Sequence, residues 1–319
     1  MVKGAIPMSR LRLSTICGTA LCALLLAPCL ARGQNLFATI VNEPAVESFS
    51  PTGTDLGAFV SGPFSNPEGL AFDASGNLYV GSSGDGTIQK FSPAGTSLGT
   101  FATTAPLFNN AIAFNGAGDL LVSVSNTDGT NSAVQEFSPT GTSLGNFATA
   151  GLDRPWAIAF NNLGDVFVAS ENNGQIHEYS PTGADLGVFA SGLDNPFGLA
   201  FDKAGNLYVS EDGTTNTVHE FGPTGADLGT FASVQMFTPE GLVFDNAGNL
   251  LVAEASDSTI EKYGPTGTWL GDFADTSSFP VFLAFGPAPA GAVPEPTGIP
   301  LLATAVLGAG ASLRRRRRR

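Results

Sequence analysis

Eight side chains of this sequence stand where they could meet a ligand: Glu68, Asn110, Trp156, Phe197, Glu240, Glu171, Glu211 and Glu254. The first five occupy one recurring position, the residue just before a short apolar run. Val281 holds the same position a sixth time. Glu171, Glu211 and Glu254 follow a second apolar run in three successive copies of the pattern. Carboxylates brought together raise one another's pKa or recruit a cation. A divalent cation held there would polarise a carbonyl. Aromatic side chains at the same place would anchor a ligand by packing. The frame around these positions is regular while the positions themselves vary, as expected where loops read ligands and a scaffold repeats.

Other chemistry is thinly represented. Beyond residue 33 there are two histidines, His177 and His219, in IHEY and VHEF. Alternation turns both away from the buried face, toward solvent or a seam between repeats. Asp73, Asp202 and Asp245 each precede a Gly-Asn pair, the composition of an Asx-type turn. No segment has the dense oxygen-ligand spacing of a calcium loop. Cys17, Cys22 and Cys29 all precede residue 34, so the remainder has no thiol for catalysis, disulfide formation or metal binding.

The elements that must position these residues form a repeat, clearest in Asn195–Phe231. GLAF at Gly198–Phe201 suits a strand buried on both faces. A Gly/Asn turn leads to Leu207-Tyr208-Val209. Val218–Phe221 alternates apolar and polar, and Leu228–Phe231 closes the unit beyond a Pro/Gly turn. The third-strand aromatic recurs as Phe49, Phe91, Phe137, Tyr179, Phe221 and Tyr263, at intervals of 42, 46, 42, 42 and 42. Four strands in about 42 residues specify a β-propeller blade. The longer interval falls in the Ser123–Ser132 connection. The ends are complementary: residues 35–59 supply three strands without a first, and Phe282–Phe285 a first without successors. The expected fold is all-β, a six-bladed β-propeller of four-stranded antiparallel blades. N-terminal strands and the C-terminal strand would share the last blade, closing the ring.

PEGLAFDASGNLYV at Pro67–Val80 and PEGLVFDNAGNLLV at Pro239–Val252 resemble the unit of NHL-repeat propellers. NAIAFNGAGDLLV at Asn110–Val122 departs from it, with Asn115 in place of Asp. The resemblance spans roughly residues 35–285 and implies a fold more than an activity. Among similar propellers, gluconolactonase-like hydrolases hold a divalent metal in the channel with Glu, Asn and Asp. That resemblance implies a metal-dependent hydrolase as the alternative to a binding role. Histidines turned toward solvent or a seam between blades argue against the His-dependent lyase propellers.

The flanks read differently. Residues 1–33 combine a basic start (Lys3, Arg10, Arg12), an apolar stretch Ile16–Leu30 and the small residues around Ala31-Arg32-Gly33, the pattern of a secretory signal peptide. Residues 288–296 form a Pro-rich linker containing Val293-Pro294-Glu295-Pro296. Residues 297–313 are an apolar membrane segment and 314–319 are six arginines. This order resembles a PEP-CTERM sorting signal, which implies transient membrane anchoring and processing by an exosortase at Pro294 and Glu295. The arginines would stay cytoplasmic.

Without these flanks, the 34–287 propeller has four basic residues (Lys90, Arg154, Lys203, Lys262) against 27 acids, a formal charge of −23. Such a surface repels polyanions and excludes nucleic acid as a partner. The combined expectation is an exported propeller at the cell surface or in the extracellular matrix. It would have a binding or structural role toward matrix glycan or protein and no cofactor beyond an optional divalent cation. A purely architectural surface protein is the remaining alternative.

Overall fold

A computed structural model of the protein describes residues 34–287. The segments read as signal peptide, Pro-rich linker, membrane segment and arginine tail, with Pro294 and Glu295, lie outside the described residues. Within them no helix is long and apolar enough to cross a membrane.

The described chain forms 24 strands in six four-stranded antiparallel sheets. Five blades are continuous in sequence. Their first strands are β4 (Pro67–Phe72), β8 (Phe108–Phe114), β12 (Pro155–Phe160), β16 (Pro196–Phe201) and β20 (Pro239–Phe244). The sixth blade joins β24 (Pro280–Phe285) to β1 (Leu36–Ile40), β2 (Ala45–Phe49) and β3 (Asp55–Ser61) in the order β24-β1-β2-β3. Leu36 pairs with Phe285 and Ala38 with Leu283. Each first strand contacts the next, and β24 contacts β4, so the six line the channel in a closed ring.

The second strands follow: β5 (Leu78–Ser82), β9 (Leu120–Ser125), β13 (Val166–Ser170), β17 (Leu207–Glu211) and β21 (Leu250–Glu254). They are fully buried because both faces of a blade lie against neighbours. Phe37, Tyr79, Phe167 and Tyr208 occupy equivalent places on second strands. Each meets an outer-strand Phe of its own blade and a first-strand Phe of the next, edge to face at 4.8–5.0 Å. Each such ring, once buried, stabilises the blade seam by about 1.5–3 kcal/mol.

The turns follow the sequence chemistry. Asp73 Oδ1 accepts the N–H groups of Ser75 and Asn77 at 2.9 Å. Asp202 and Asp245 do the same in their blades. Asn115, the departure from the repeat, accepts from Ala117 and Asp119 in identical fashion. One oxygen suffices for this turn, so Asn replaces Asp without loss of geometry. The extra residues of the second interval lie in the connection where they were expected: Val124 pairs with Ala133 as Ser82 pairs with Thr87, with residues 125–132 between the first pair and only 83–86 between the second. The outer strands, being edges, carry a positive-φ glycine at one shared position, such as Gly57, Gly99 and Gly229, next to register shifts. These bulges twist each exposed edge away from pairing with another chain.

Candidate functional site

At the end of the channel where the first strands begin lies a cavity of ≈440 Å³. Glu68, Trp156, Phe197, Glu240 and Val281, five of the six residues at the recurring first-strand position, line it. The sixth, Asn110, is turned into structure: it is buried, and its Nδ2 donates to the Pro155 carbonyl of the next blade at 2.6 Å. Glu171 reaches the mouth, joined by Asp212 and Arg154.

Glu211 and Glu254 do not line the mouth. They end their second strands, one residue earlier in the repeat than Glu171. A one-residue offset turns a strand side chain to the opposite face. Glu211 accepts the Asp194 N–H at 2.9 Å and the Thr217 hydroxyl at 2.8 Å. Glu254 accepts the N–H groups of Phe237 and Thr238 at 2.9 and 3.0 Å. Both hold the loop that leads into their own blade. Ser82 and Ser170 do the same job elsewhere, toward Ser65 and Asp153. Asp212 is the true repeat partner of Glu171, and counting three residues on from Val168 and Val209 finds both.

Local structure fixes the mouth residues. Ser123 donates to the Trp156 carbonyl and Ser210 to the Glu240 carbonyl, each at 2.6 Å and each from the preceding blade. Gly198 makes the second contact possible, since a Cβ there would lie 2.1 Å from the Glu240 oxygen. Arg154 has φ +56°, a left-handed conformation that Asn66 and Asn195 adopt at the same repeat position. Asn tolerates it better than Arg does. Arg154 is held by a 2.8 Å ion pair to Glu171 and lies 5.6 Å from the Trp156 ring centre. Trp156 Nε1 donates to the other Glu171 oxygen, and its ring stacks on Phe197 at 4.2 Å. Arg154, Glu171, Trp156 and Phe197 thus form one braced, charge-balanced wall.

The other acids of the mouth are unbalanced. Among the described residues, no ion pair includes Glu68, Asp212 or Glu240. Glu68 Oε1 accepts from Ser83 at 2.8 Å, while its Oε2 is buried without a partner. Glu240 Oε2 is also buried and unpartnered. Burial pushes the Glu68 carboxyl up to about 8, against the opposing pull of Ser83 and Arg154. Burial, then repulsion from Asp212, Glu68 and Glu254, drives Glu240 well above the carboxylate range. Asp212 is raised to about 6 by burial and by Glu171 and Asp194. Glu254, behind Glu240, is raised to about 7, chiefly by burial. Of the carboxylates expected to sense one another, Glu240 feels Glu68 and Glu254, although Glu68 and Glu240 come from blades on either side of the shared one.

The Glu/Asn/Asp metal set of gluconolactonase-like propellers does not fit this mouth. The Asn110 amide is committed to Pro155, and no group of three His, Cys, Asp or Glu among the described residues lies close enough to hold a metal ion. The histidines are elsewhere. His177 is buried beneath the Gly151 loop with Nε2 2.9 Å from Gln175, at a blade seam. His219 lies between Asp227 and Glu211, at 2.7 and 3.5 Å.

Comparison with solved structures identifies the architecture: the chain has the six-bladed propeller fold. A chain from a nidogen/laminin complex superposes with TM-score 0.70 at 18% identity, covering 80% of this chain and 99% of its own length. A protein of unknown function from Bacteroides caccae gives 0.64 at 15%, covering 79% and 98%. A structural-genomics target provisionally assigned as a gluconolactonase gives 0.60 at 19%, covering 70% and 82%. At these identities the likeness speaks to fold alone. No family model matches the sequence. No curated protein matches it either.

Proposed function

We propose that this protein is an exported NHL-type propeller that binds a ligand of the cell surface or extracellular matrix at its acidic channel mouth. The observation that carries the reading is the convergence of Glu68, Trp156, Phe197, Asp212 and Glu240 from four blades on one cavity. Preformed concave sites with apolar walls and a few aimed polar groups are the usual form of a ligand site. The nidogen/laminin neighbour supports a binding use of this architecture. The gluconolactonase-like neighbour supports a hydrolase reading, but that chemistry lacks its ligand set in this mouth.

The test is retention of the full chain on exopolymer matrix from the producing cells. Trp156→Ala removes the aromatic wall and the brace on Glu171, and should lower retention at least tenfold with the fold intact by circular dichroism. Equal retention of variant and parent would leave an architectural protein in place of a binder.

Delivery rests on the flanking segments. The N-terminal segment exports the chain, and the C-terminal segment anchors the precursor until an exosortase acts at Pro294-Glu295. Replacing both residues with Ala should leave full-length protein in the membrane fraction. Normal release of that variant would overturn the sorting signal.

A further inference from the structure

The mouth has a charge arrangement that its own residues leave unfinished. Arg154 and Glu171 neutralise each other at 2.8 Å. Among the described residues, no cation forms an ion pair with Glu68, Asp212 or Glu240, and two buried carboxyl oxygens, Glu68 Oε2 and Glu240 Oε2, have no hydrogen-bond donor. A buried unpaired carboxylate is costly and persists where something else completes it. A bare metal ion does not suit this arrangement. The three carboxylates come from three different blades, and among the described residues no three acidic groups share one coordination sphere. The space between them is ≈440 Å³, walled in part by Phe197, Phe279 and Val281, which is room for an organic body.

We propose that the mouth binds an organic cation: a primary ammonium on a compact apolar or sugar-sized body, its N–H donors directed to the free oxygens of Glu68 and Glu240. This rests on the ligand-binding reading and names its chemistry. An ammonium supplies three donors and one positive charge, the two things the site lacks. Asp212 adds attraction from the blade next to that of Glu240, and Glu254 adds it from behind Glu240. The Arg154–Glu171 pair is internally satisfied and leaves the free carboxylates to the ligand.

Binding is linked to protons. Burial drives both carboxyls up, and at Glu240 repulsion from Asp212, Glu68 and Glu254 adds to it, so an arriving cation must displace protons from them. Affinity for an amine that stays protonated over this range therefore rises with pH through the window ending near 8, where Glu68 ionises.

Calorimetry on the full chain tests this with four probes: n-pentylamine and glucosamine as ammonium carriers, 1-pentanol and N-acetylglucosamine as neutral counterparts. Saturable binding of one ammonium probe per chain is expected, at least tenfold tighter than its neutral counterpart. It should release protons at pH 7 and weaken at least tenfold for pentylamine at pH 5. The tighter ammonium probe distinguishes a free amine from an amino sugar. Glu240→Gln and Asp212→Asn should each weaken it tenfold or more, and the exposed outer-strand change Asp55→Asn should not. Neutral probes binding as well as charged ones would overturn the cation and leave a ligand site standing. Ammonium binding unchanged in both mouth variants, or no binding by any probe, would also overturn it. Matrix retention separately decides whether the mouth is a site at all.

Discussion

Glu68→Gln should make the protein more stable at pH 8 and leave it nearly unchanged at pH 4.5. In the fold the Glu68 carboxyl is pushed up to about 8 by burial, whereas in the unfolded chain it titrates near the ordinary value of 4.5. The folded state therefore holds this proton more tightly. The stabilisation it brings is complete below the unfolded value and is lost as pH climbs through the folded one. The full shift corresponds to an upper bound of about 5 kcal/mol. Part of the side chain still meets water, so about 2–4 kcal/mol is the expected size of the effect. The amide keeps an acceptor for Ser83 and replaces the unpartnered Oε2 with a donor that Glu240 could accept. Thermal unfolding of parent and variant from pH 4.5 to 8.5 measures the difference directly. Parallel curves, or a variant less stable at pH 8, would remove the buried charge from the account of this mouth. The predicted gain is also why the mouth reads as functional: a single amide would relieve it, yet both Glu68 and Glu240 remain acids.

The propeller was legible in the sequence because each blade repeats the same solutions at a fixed interval. Tight turns need Asp or Asn with Gly-Asn or Gly-Asp, blade seams need paired aromatics, and the complementary ends need one another. The site was legible only in part. The recurring position before GLAF was found because it varies within a constant frame. Asn110 misleads because side-chain chemistry alone does not tell a ligand-facing amide from one that ties two blades together. Glu211 and Glu254 mislead for a simpler reason: they are one residue out of phase with Glu171, and strand alternation sends them to the loop side. Asp212 was available to the same counting. Arg154 was not, because its place in the mouth depends on a left-handed backbone and on Glu171 across the blade.

Deleting residues 35–59 should abolish the ring, the largest effect predicted for any change to this chain. The segment contains β1 and β2 and most of β3, so β24 would keep no partner in its own sheet. Leu36, Phe37, Ala38, Ile40, Val46 and Phe49, all buried, leave with it. At about 1.5–3 kcal/mol for each large apolar side chain, the loss matches the whole stability of an ordinary domain. The flanking blades would also expose their faces, and β24 an unpaired edge. Aggregation without a cooperative melting transition is the expected result. A soluble monomer melting like the parent would defeat closure by a shared blade. A rearranged chain separates lost connectivity from lost mass. The two ends already sit as a hairpin: Gly286 N–H donates to the Asn35 carbonyl at 2.9 Å, and Gln34 Nε2 donates to the Gly286 carbonyl at 2.7 Å. Elsewhere five residues separate the equivalent strands, as Asp202–Asn206 do between Phe201 and Leu207. Moving residues 34–61 behind Pro287 leaves four, Gly286, Pro287, Gln34 and Asn35, so one inserted glycine restores the turn length. That permuted chain should regain a cooperative transition and monomeric behaviour, because every strand pair of the closed ring is present again. Its mouth should return as well, since Val41 and Asn42, just past β1, line the same cavity as Glu68 and Glu240.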